Sequence, residues 1–361
     1  MNYLKIPAEH LYQFTEDIFA TIGYNRDDAR RAATVLHYAD LRGHDTHGVA
    51  NLGSLYCTAI ASGEIRLNAV PRWAEQRGAC GLLDADGALG LLAAQDGMQR
   101  AIANARELGI GCVAVSNSSH FGAAGFYADM ALHNNMIGIA STNLGNDPII
   151  YPMGSTVPLL GTNPISFSAG AADATDPFLL DMSTTVVASG KIKQYARRQQ
   201  SVPDGWLFDD MGKTVNEAAR FGVGTAHMAM LGGALAEQGA HKGMGLGLMV
   251  EILCGVLSGA QTSADRGSPG RNSVGHFFIA INPAFFRPQA AFSDALASLL
   301  DSVAGAPTLP GFPPLMYPGQ PDGNTMRERL VDGIPIDAPM LDQLNALAHS
   351  LDLAPLMKEA A

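Results

Sequence analysis

The chain has 361 residues, of which 47% are hydrophobic and 16% are charged, so it can bury a large core of about two lobes. Its formal net charge of −11 argues against nucleic-acid binding. The 40 glycines and the low aromatic content of 7% favour an alanine-rich α/β core with many tight turns over an all-β protein.

The N-terminal part of the chain has the pattern of a small helical lobe. Asn25 is a typical N-cap, and Asp27 and Asp28 suit the first turn of the helix that would follow it. Gly43 is placed to end that helix. Apolar spacing and these caps predict helices over residues 7–22 and 25–41 and a third from residue 45 or 46 to about 61, which together form a lobe spanning residues 1–65.

From residue 66 onward, strand-like apolar runs alternate with helical stretches. This alternation predicts an α/β domain with a mixed sheet over residues 66–320, and C-terminal helices over 321–361 that pack back on the first lobe. A polar segment rich in Gly and Ser predicts a surface loop over 259–275. The predicted strands cover residues 80–83, 112–116, 137–141, 178–181 and 277–281, and the predicted helices 89–108, 123–133, 184–197, 242–257, 293–303 and 339–351. Ser293 is the predicted cap of the helix over 293–303, and Asp337 or a nearby residue that of the helix over 339–351.

The cysteines and the apolar runs indicate the compartment. Cysteines 57, 80, 112 and 254 form no CxxC pair and lie in mostly apolar sequence, so they predict buried, reduced thiols in a cytoplasmic protein. The first residues lack the apolar core and cleavage site of a signal peptide. The longest apolar run, residues 243–260, is interrupted by Glu251 and several glycines and predicts a buried helix, not a membrane span.

Two histidines stand beside glycine at expected helix starts, namely His47 and His120. A helix start presents unpaired N–H groups and a partial positive charge, which hold anions, and imidazole exchanges a proton near neutral pH. Thr46 either hydrogen-bonds the imidazole of His47 or only caps the helix while His47 packs in the core. His44 and His47 have the spacing of a metal pair, but no third ligand follows at a convincing distance, so no metal site is predicted.

Small residues follow His120, from Gly122 to Gly125, after a predicted strand. Such residues let a cofactor approach the backbone closely at the carboxyl end of a strand. The alternative is that they only allow tight packing between the strand and the helix. His241 and Lys242 open an apolar helix, where the lysine contacts either a phosphate or carboxylate or only solvent.

No standard nucleotide-binding motif is present. The sequence lacks a GxGxxG turn followed about 20 residues later by an acidic residue, so a Rossmann domain is not predicted. It also lacks a Walker A motif, a GxSxG motif and a cysteine nucleophile motif.

Seven ordered motifs, spread over nearly the whole chain, resemble the malate/L-lactate dehydrogenase family that is unrelated to the Rossmann-type enzymes. That family includes ureidoglycolate dehydrogenase, sulfolactate dehydrogenase, diketogulonate reductase and Δ1-piperideine-2-carboxylate reductase. The motifs are ADLRGHDTHGV at 39–49, NSSHFGAAG at 117–125, GTNPIS at 161–166, DMSTT at 181–185, HKGMG at 241–245, GHFF at 275–278 and YPGQ at 317–320.

The resemblance implies an L-sulfolactate dehydrogenase-like fold, in which a three-layer α/β/α domain with a mixed sheet carries an N-terminal helical lobe. It implies a homodimer whose active site lies near the subunit interface, with NAD or NADP as cofactor and a small anionic substrate. The reaction would transfer a hydride between nicotinamide and a 2-hydroxy acid or 2-oxo acid. His47 would be the proton donor and acceptor, and Thr46 would take the place of the family's hydroxyl relay.

Further site residues are carried over by the same resemblance. Ser189 and Gly190 match a substrate-contacting pair. The implied cofactor contacts are His120, Phe121, Gly122, Ala123, Ala124, Thr142, Asn143, Leu144, Asp181, Met182, Ser183, His241, Lys242, Pro314, Tyr317, Pro318, Gly319 and Gln320.

The chain departs from the family pattern at two substrate-binding positions. Asn51 stands where many members carry an arginine that clamps the substrate carboxylate, and asparagine cannot replace that charge. Lys191 stands where some reductases carry an acidic relay residue. Either another cation such as Lys191 or Lys193 binds the carboxylate, or the substrate differs.

Three other functions remain as alternatives. Asn51 motivates an NAD(P)H-dependent reductase of a cyclic imine or of another substrate outside the 2-oxo acids, and also a nicotinamide-binding protein without efficient turnover. The spacing of His44 and His47 motivates a metal-dependent hydrolase.

Overall fold

The protein, seen as a computed structural model, is described over residues 3–171 and 176–357. The strands are β1 (Tyr3–Ile6), β2 (Arg72–Arg77), β3 (Cys80–Asp84), β4 (Ile110–Ser118), β5 (Ile137–Thr142), β6 (Ile165–Ala169), β7 (Phe178–Met182), β8 (Leu207–Phe208), β9 (Thr214–Val215), β10 (His227–Met228), β11 (Val274–Ile281) and β12 (Ile334–Asp337). The helices are α1 (Ala8–Thr21), α2 (Arg26–Arg42), α3 (Thr58–Ala61), α4 (Gly90–Leu108), α5 (Ala124–Leu132), α6 (Ser189–Arg197), α7 (Ala219–Gly222), α8 (Ala240–Glu251), α9 (Gln289–Ala304), α10 (Gln320–Asp332) and α11 (Ala338–Ser350).

A seven-stranded sheet forms the centre of the molecule, in the order β2-β3-β4-β11-β5-β6-β7. The β3–β4 pair is parallel, and β11 runs antiparallel to both of its neighbours, β4 and β5. The sheet is therefore mixed, as the sequence predicts. Strand β11 comes late in the chain and inserts between two earlier strands, which a reading of local sequence cannot anticipate.

Alternation along the central strands creates the layers on either side of the sheet. Val113, Val115 and Phe278 face the main core, which contains residues of α4 and α5. Their neighbours Ala114 and Phe277 face the opposite side, where they pack with residues of α8 and of the π-helical turn at Ile252–Val256 that follows it. Because successive side chains of a strand point to opposite faces, two apolar layers form, and the predicted three-layer α/β/α arrangement is confirmed.

The caps of the second helix are confirmed. The Asn25 side chain accepts a hydrogen bond from the Asp28 N–H, and Gly43 ends α2 in the left-handed conformation with φ of 85°. The expected third helix is irregular, because residues 44–48 form a turn and Asp40 pulls the Val49 N–H out of the helical ladder. The chain then passes through a 3₁₀ turn at Val49–Asn51 and a π-helical turn at Leu52–Cys57 before it reaches α3.

Helix starts later in the chain differ from the predictions. Helix α9 begins at Gln289 after Pro288, so Ser293 is not its cap. Helix α6 begins only at Ser189, because Ser183 and Thr185 form a hydrogen-bonded turn before it. Asp337 caps α11 as predicted, by accepting from the Met340 N–H.

The two ends of the described chain meet in a small antiparallel pair. Strand β1 pairs with β12 from Tyr3 opposite Asp337 to Ile6 opposite Ile334. Helix α11 follows directly and contacts the π-helical turn at Leu52–Cys57. A separate three-stranded sheet, in the order β10-β8-β9, lies between β7 and α8 in the sequence. All of these strands are too short to give a clear alternating pattern.

The four cysteines are free thiols, but they are not all buried as predicted. Cys254 is buried, Cys57 and Cys112 are half-buried, and Cys80 is exposed at the start of β3. Over residues 3–171 and 176–357, no helix has the length and apolar content that a membrane span requires.

Candidate active site

The turn that carries His47 is held in place by two buried ionisable side chains, Asp40 and Arg329. Asp40, near the end of α2, accepts a hydrogen bond from the Val49 N–H at 2.9 Å. Arg329 from α10 donates to the Asp40 backbone carbonyl and to the Asp45 carboxylate. Helices α2 and α10 therefore hold the turn at both ends.

Gly48 lies so close to Asp40 that a side chain at this position would overlap the carboxylate. Burial raises the pKa of Asp40 to about 8, although the hydrogen bond from Val49 opposes this shift. Asp40 thus holds a proton in much of the neutral range and still accepts from Val49 through an unprotonated oxygen. The spacing of the turn depends on a glycine at position 48.

The turn brings together several residues that the sequence predicts for the site. Thr46 Oγ1 lies 2.9 Å from His47 Nδ1, and the Asn51 amide donates to the Thr46 carbonyl at 2.9 Å. Gly190, at the start of α6, packs directly against the methyl group of Thr46. The hydroxyl of Thr46 therefore holds one imidazole nitrogen of His47, while Nε2 has no hydrogen-bond partner among the described residues. Asn51 contributes one amide hydrogen to the turn itself.

His120 lies parallel to His47, with ring centroids 5.9 Å apart. Its Nδ1 accepts from the Gly122 N–H at 3.2 Å and lies 2.7 Å from the Tyr56 hydroxyl. Because Nδ1 is an acceptor, the neutral ring carries its proton on Nε2. Burial, together with the nearby His47, lowers the pKa of His120 to about 3. His120 is therefore a neutral hydrogen-bond donor through Nε2.

Two histidines of the turn have opposite pKa shifts. Burial lowers the pKa of His47, Asp181 opposes that shift, and His44 adds to it. Burial also lowers the pKa of His44, but the hydrogen bond to Asp322 and the charges of Asp181 and Asp322 outweigh it and raise the pKa overall. His47 is thus a neutral proton acceptor under conditions that favour a cationic His44.

Asp181 joins the end of β7 to the start of α5. Its carboxylate accepts from the Gly125 N–H at 2.7 Å. A carboxylate at a helix N-terminus interacts favourably with the helix dipole. This contact brings the predicted cofactor segment 181–183 against the segment 120–124.

A buried cluster links a third predicted segment to these two. His276 Nδ1 lies 2.8 Å from Thr142 Oγ1, and His276 Nε2 lies 2.8 Å from Ser118 Oγ. The imidazole stacks on Phe121 with ring centroids 4.8 Å apart. Burial lowers the pKa of His276 to about 3, so the ring is neutral and structural. Asn143, which follows Thr142 in the chain, accepts a hydrogen bond from the Gly275 N–H.

The predicted turn at 317–320 docks on the beginning of β7. The Pro318 carbonyl accepts from the Leu179 N–H at 3.0 Å, and the Tyr317 hydroxyl donates to the Asp176 carbonyl at 2.8 Å. Gly319 has φ of 105° and lies against Pro177, where a side chain would collide. The turn leads directly into α10, whose Asp322 reaches His44.

Other predicted residues lie at the margin of this cluster or apart from it. Ser189 begins α6, and the Lys191 ammonium lies 5.5 Å from the centre of the Trp206 ring. His241, Lys242 and Pro314 are exposed, and no hydrogen bond within the described ranges links them to the other site residues. The described part of the chain holds no group of three or more His, Cys, Asp or Glu side chains arranged for a metal ion.

Sequence reasoning assigns no role to Glu251, Tyr56 or His276. Buried Glu251 accepts from the Asn163 amide at 2.9 Å and from the Ser263 N–H at 3.0 Å, which anchors the start of the loop before β11. Its signal in the sequence is an isolated acidic residue within a long apolar run. The GHFF motif contains His276, whereas nothing near Tyr56 in the sequence points to His120.

Comparison with known proteins identifies the family and the fold of this chain. The sequence profile of malate/L-lactate dehydrogenases matches residues 6–345. Malate dehydrogenase from Pyrococcus abyssi is 38% identical over 350 residues, which are 96% of this chain and 95% of that protein. Ureidoglycolate dehydrogenase (NAD(+)) from Escherichia coli is 34% identical over 341 residues, which are 92% of this chain and 93% of that protein.

A solved structure gives the same result. Sulfolactate dehydrogenase from Methanocaldococcus jannaschii superimposes with a TM-score of 0.86 at 31% identity, over 97% of this chain and 98% of that one. The protein is therefore a dehydrogenase built on a non-Rossmann α/β/α fold. It belongs to the malate/L-lactate dehydrogenase family, as its motifs predict.

Proposed function

We propose that the protein transfers a hydride between NAD or NADP and a small 2-hydroxy acid or the corresponding 2-oxo acid. The observation that carries this proposal is His47, whose Nδ1 is held by Thr46 while its Nε2 faces no protein partner within the described residues. A neutral histidine held in this way can accept the hydroxyl proton during oxidation and return it during reduction. The hydroxyl of Thr46 keeps the ring in place and can pass the proton on.

The arrangement of the predicted cofactor segments supports a bound nicotinamide nucleotide. Segments 120–124, 142–144, 181–183 and 317–320 are tied into one continuous cluster by the contacts of Asp181, His276 and Pro318. The bound cofactor would supply the hydride chemistry, and the protein would supply orientation and the proton. The Nε2–H of His120 can donate one hydrogen bond to the ligand.

The substrate is proposed to be a small anion despite the absent arginine. The relatives described above are named for malate, sulfolactate and ureidoglycolate, each of which carries a carboxylate. Asn51 supplies no charge, and its amide already binds the Thr46 carbonyl. We assign the carboxylate contact to the start of α6, where Gly190 touches Thr46 and Lys191 is the nearest lysine along the chain.

The test is the oxidation of reduced nicotinamide by the purified protein. NADH and NADPH are each offered with oxaloacetate, pyruvate, glyoxylate and Δ1-piperideine-2-carboxylate, and the loss of their absorbance is followed. Turnover of an oxo acid is expected with at least one of the two cofactors. Turnover of the cyclic imine alone would favour the imine reductase instead. Cofactor binding without turnover of any of the four compounds would contradict the proposal.

We further propose a homodimer whose interface includes the outer face of α8 and the turn after it. Leu248, Ile252 and Val256 lie four residues apart on this face, and the last two are 56% and 67% exposed. Burying such a row against a second copy is favourable. His241 and Lys242 stand exposed at the start of the same helix, where a partner's site would meet them. We also retain the predicted cytoplasmic location, which rests on the four free thiols.

Light scattering of the variant Val256→Asp tests this interface. The unmodified protein is expected to be a dimer, and the charge introduced at the interface is expected to shift it toward monomer and to reduce turnover. The matched control is Val223→Asp, because Val223 is 74% exposed and lies on a separate surface turn. A monomeric unmodified protein, or a Val256→Asp variant that remains fully dimeric, would contradict the proposal.

A further inference from the structure

The turn that carries His47 also holds one member of an acid–histidine pair, formed by His44 and Asp322. His44 Nε2 is 3.3 Å from Asp322 Oδ2, and the two side chains are only 26% and 22% exposed. The two residues are 278 positions apart in the chain. His44 belongs to the turn that carries His47, and Asp322 lies in the first turn of α10, just after the predicted cofactor turn at 317–320.

The charged groups around His44 come from three other elements. Asp322 faces it from α10, Asp181 from β7 and Arg42 from α2. Arg42 is itself paired with the buried Asp129 at 3.1 Å, so its charge is largely compensated. Burial raises the pKa of Tyr38, and the charges of Asp129, Asp181 and Asp322 add to this shift, so Tyr38 stays neutral. The carboxylates prevail, and the site therefore favours the imidazolium form of His44.

The pKa of His47 depends on the charge of His44. Its backbone N–H donates to the His44 carbonyl at 2.8 Å, so the two residues share one tight turn. The groups that face its ring are Asp181 from β7, His44 from the same turn and the stacked His120, which is neutral. Among these groups, His44 is the one whose charge changes in the pH range where His47 must exchange a proton.

We propose that His44 and Asp322 form a positioning pair that holds the His47 turn against α10 and sets the protonation of His47. This inference rests on the proposed function, in which His47 exchanges the substrate proton. The pair is assigned no contact with the substrate. It acts through His47, because a positive charge on His44 repels a proton from His47 and so keeps it a base at lower pH.

The test is the pH profile of kcat/KM in the oxidation direction. That profile rises with pH as His47 loses its proton in the free enzyme. His44→Gln removes the positive neighbour, and Asp322→Asn lowers the pKa of His44 so that the same charge is lost. Both variants are expected to move the rising limb to higher pH by about one unit, which is a tenfold loss of rate on that limb, and to leave the high-pH plateau nearly unchanged.

Three further variants sharpen the result. The double variant His44→Gln/Asp322→Asn is expected to match His44→Gln alone, because Asp322 acts through His44. Asp322→Glu keeps the carboxylate and is expected to restore most of the original profile. The matched control is Asp210→Asn, which breaks a His–Asp pair of the small sheet, with His227 at 2.7 Å, and is expected to leave the limb in place.

The inference would be overturned if the rising limb of the pH profile does not move in either His44→Gln or Asp322→Asn. A lowered plateau without a shift of the limb would also overturn it, because a purely structural role predicts that result. If the variants are too unstable for kinetics, the His44 and His47 rings are titrated by NMR in the unmodified protein, where His44 is expected to have the higher pKa. The reverse order would overturn the inference. If His47→Ala itself retains turnover, the proposed function fails. If His47→Ala is inactive while the limb stays fixed, only the present inference fails.

Discussion

Replacement of His47 by alanine is expected to lower kcat by at least about 100-fold while the affinity for the nicotinamide cofactor changes little. A positioned general acid or base typically contributes about 10²–10⁴ to the rate. Cofactor affinity should persist, because the cluster formed by Asp181, His276 and Pro318 does not include the His47 ring. Steady-state rates together with a fluorescence titration of the reduced cofactor measure both quantities.

Two companion variants separate the chemistry of His47 from the loss of an aromatic ring. Thr46→Val removes the hydroxyl held 2.9 Å from His47 Nδ1 but keeps the shape of the side chain, so it is expected to cause a smaller loss of kcat than His47→Ala. His133→Ala is the matched control, since its side chain is 75% exposed near the end of α5. Unchanged turnover in His47→Ala would refute the assignment of the proton donor.

The sequence predicts those parts of the fold that depend on interactions between residues close together in the chain. Asn25 and Gly43 mark the ends of α2, because a cap satisfies backbone groups within a few residues. The alternation of Val113, Ala114 and Val115 predicts a strand with two buried faces. By contrast, the place of β11 between β4 and β5 follows from long-range pairing, and no residue near Val274 encodes it.

The candidate site divides in the same way. Thr46 and His47 are neighbours in the chain, so their hydrogen bond is readable as a possibility from the sequence. The contacts of Asp322 with His44 and of Arg329 with Asp45 cannot be predicted from the sequence, because both partners come from α10, far along the chain. The irregular backbone after Gly48 also escapes sequence reasoning, since the apolar spacing there is helical and only the buried Asp40 carboxylate diverts the Val49 N–H.

Replacement of Gly48 by alanine is expected to displace the His47 turn and to lower both kcat and stability. The added methyl group would overlap the Asp40 carboxylate, which is buried and cannot move to solvent. Overpacking of this kind costs about 1–3 kcal/mol of unfolding free energy. Because a small displacement of a catalytic group is costly, kcat is expected to fall by more than about tenfold. Denaturant unfolding and steady-state kinetics measure the two effects.

The nearby Gly53 supplies the matched control, since a methyl group there would meet only the end of Leu347 at an ordinary 3.4 Å. Gly53→Ala is expected to change the free energy of unfolding by less than about 0.5 kcal/mol. Shortening the opposing side chain supplies a second check. In the double variant Gly48→Ala/Asp40→Ala, the clash is gone, so the loss of stability should be smaller than the sum of the two single losses. Strict additivity, or a Gly48→Ala variant as stable and active as Gly53→Ala, would show that the contact with Asp40 does not determine the position of the His47 turn.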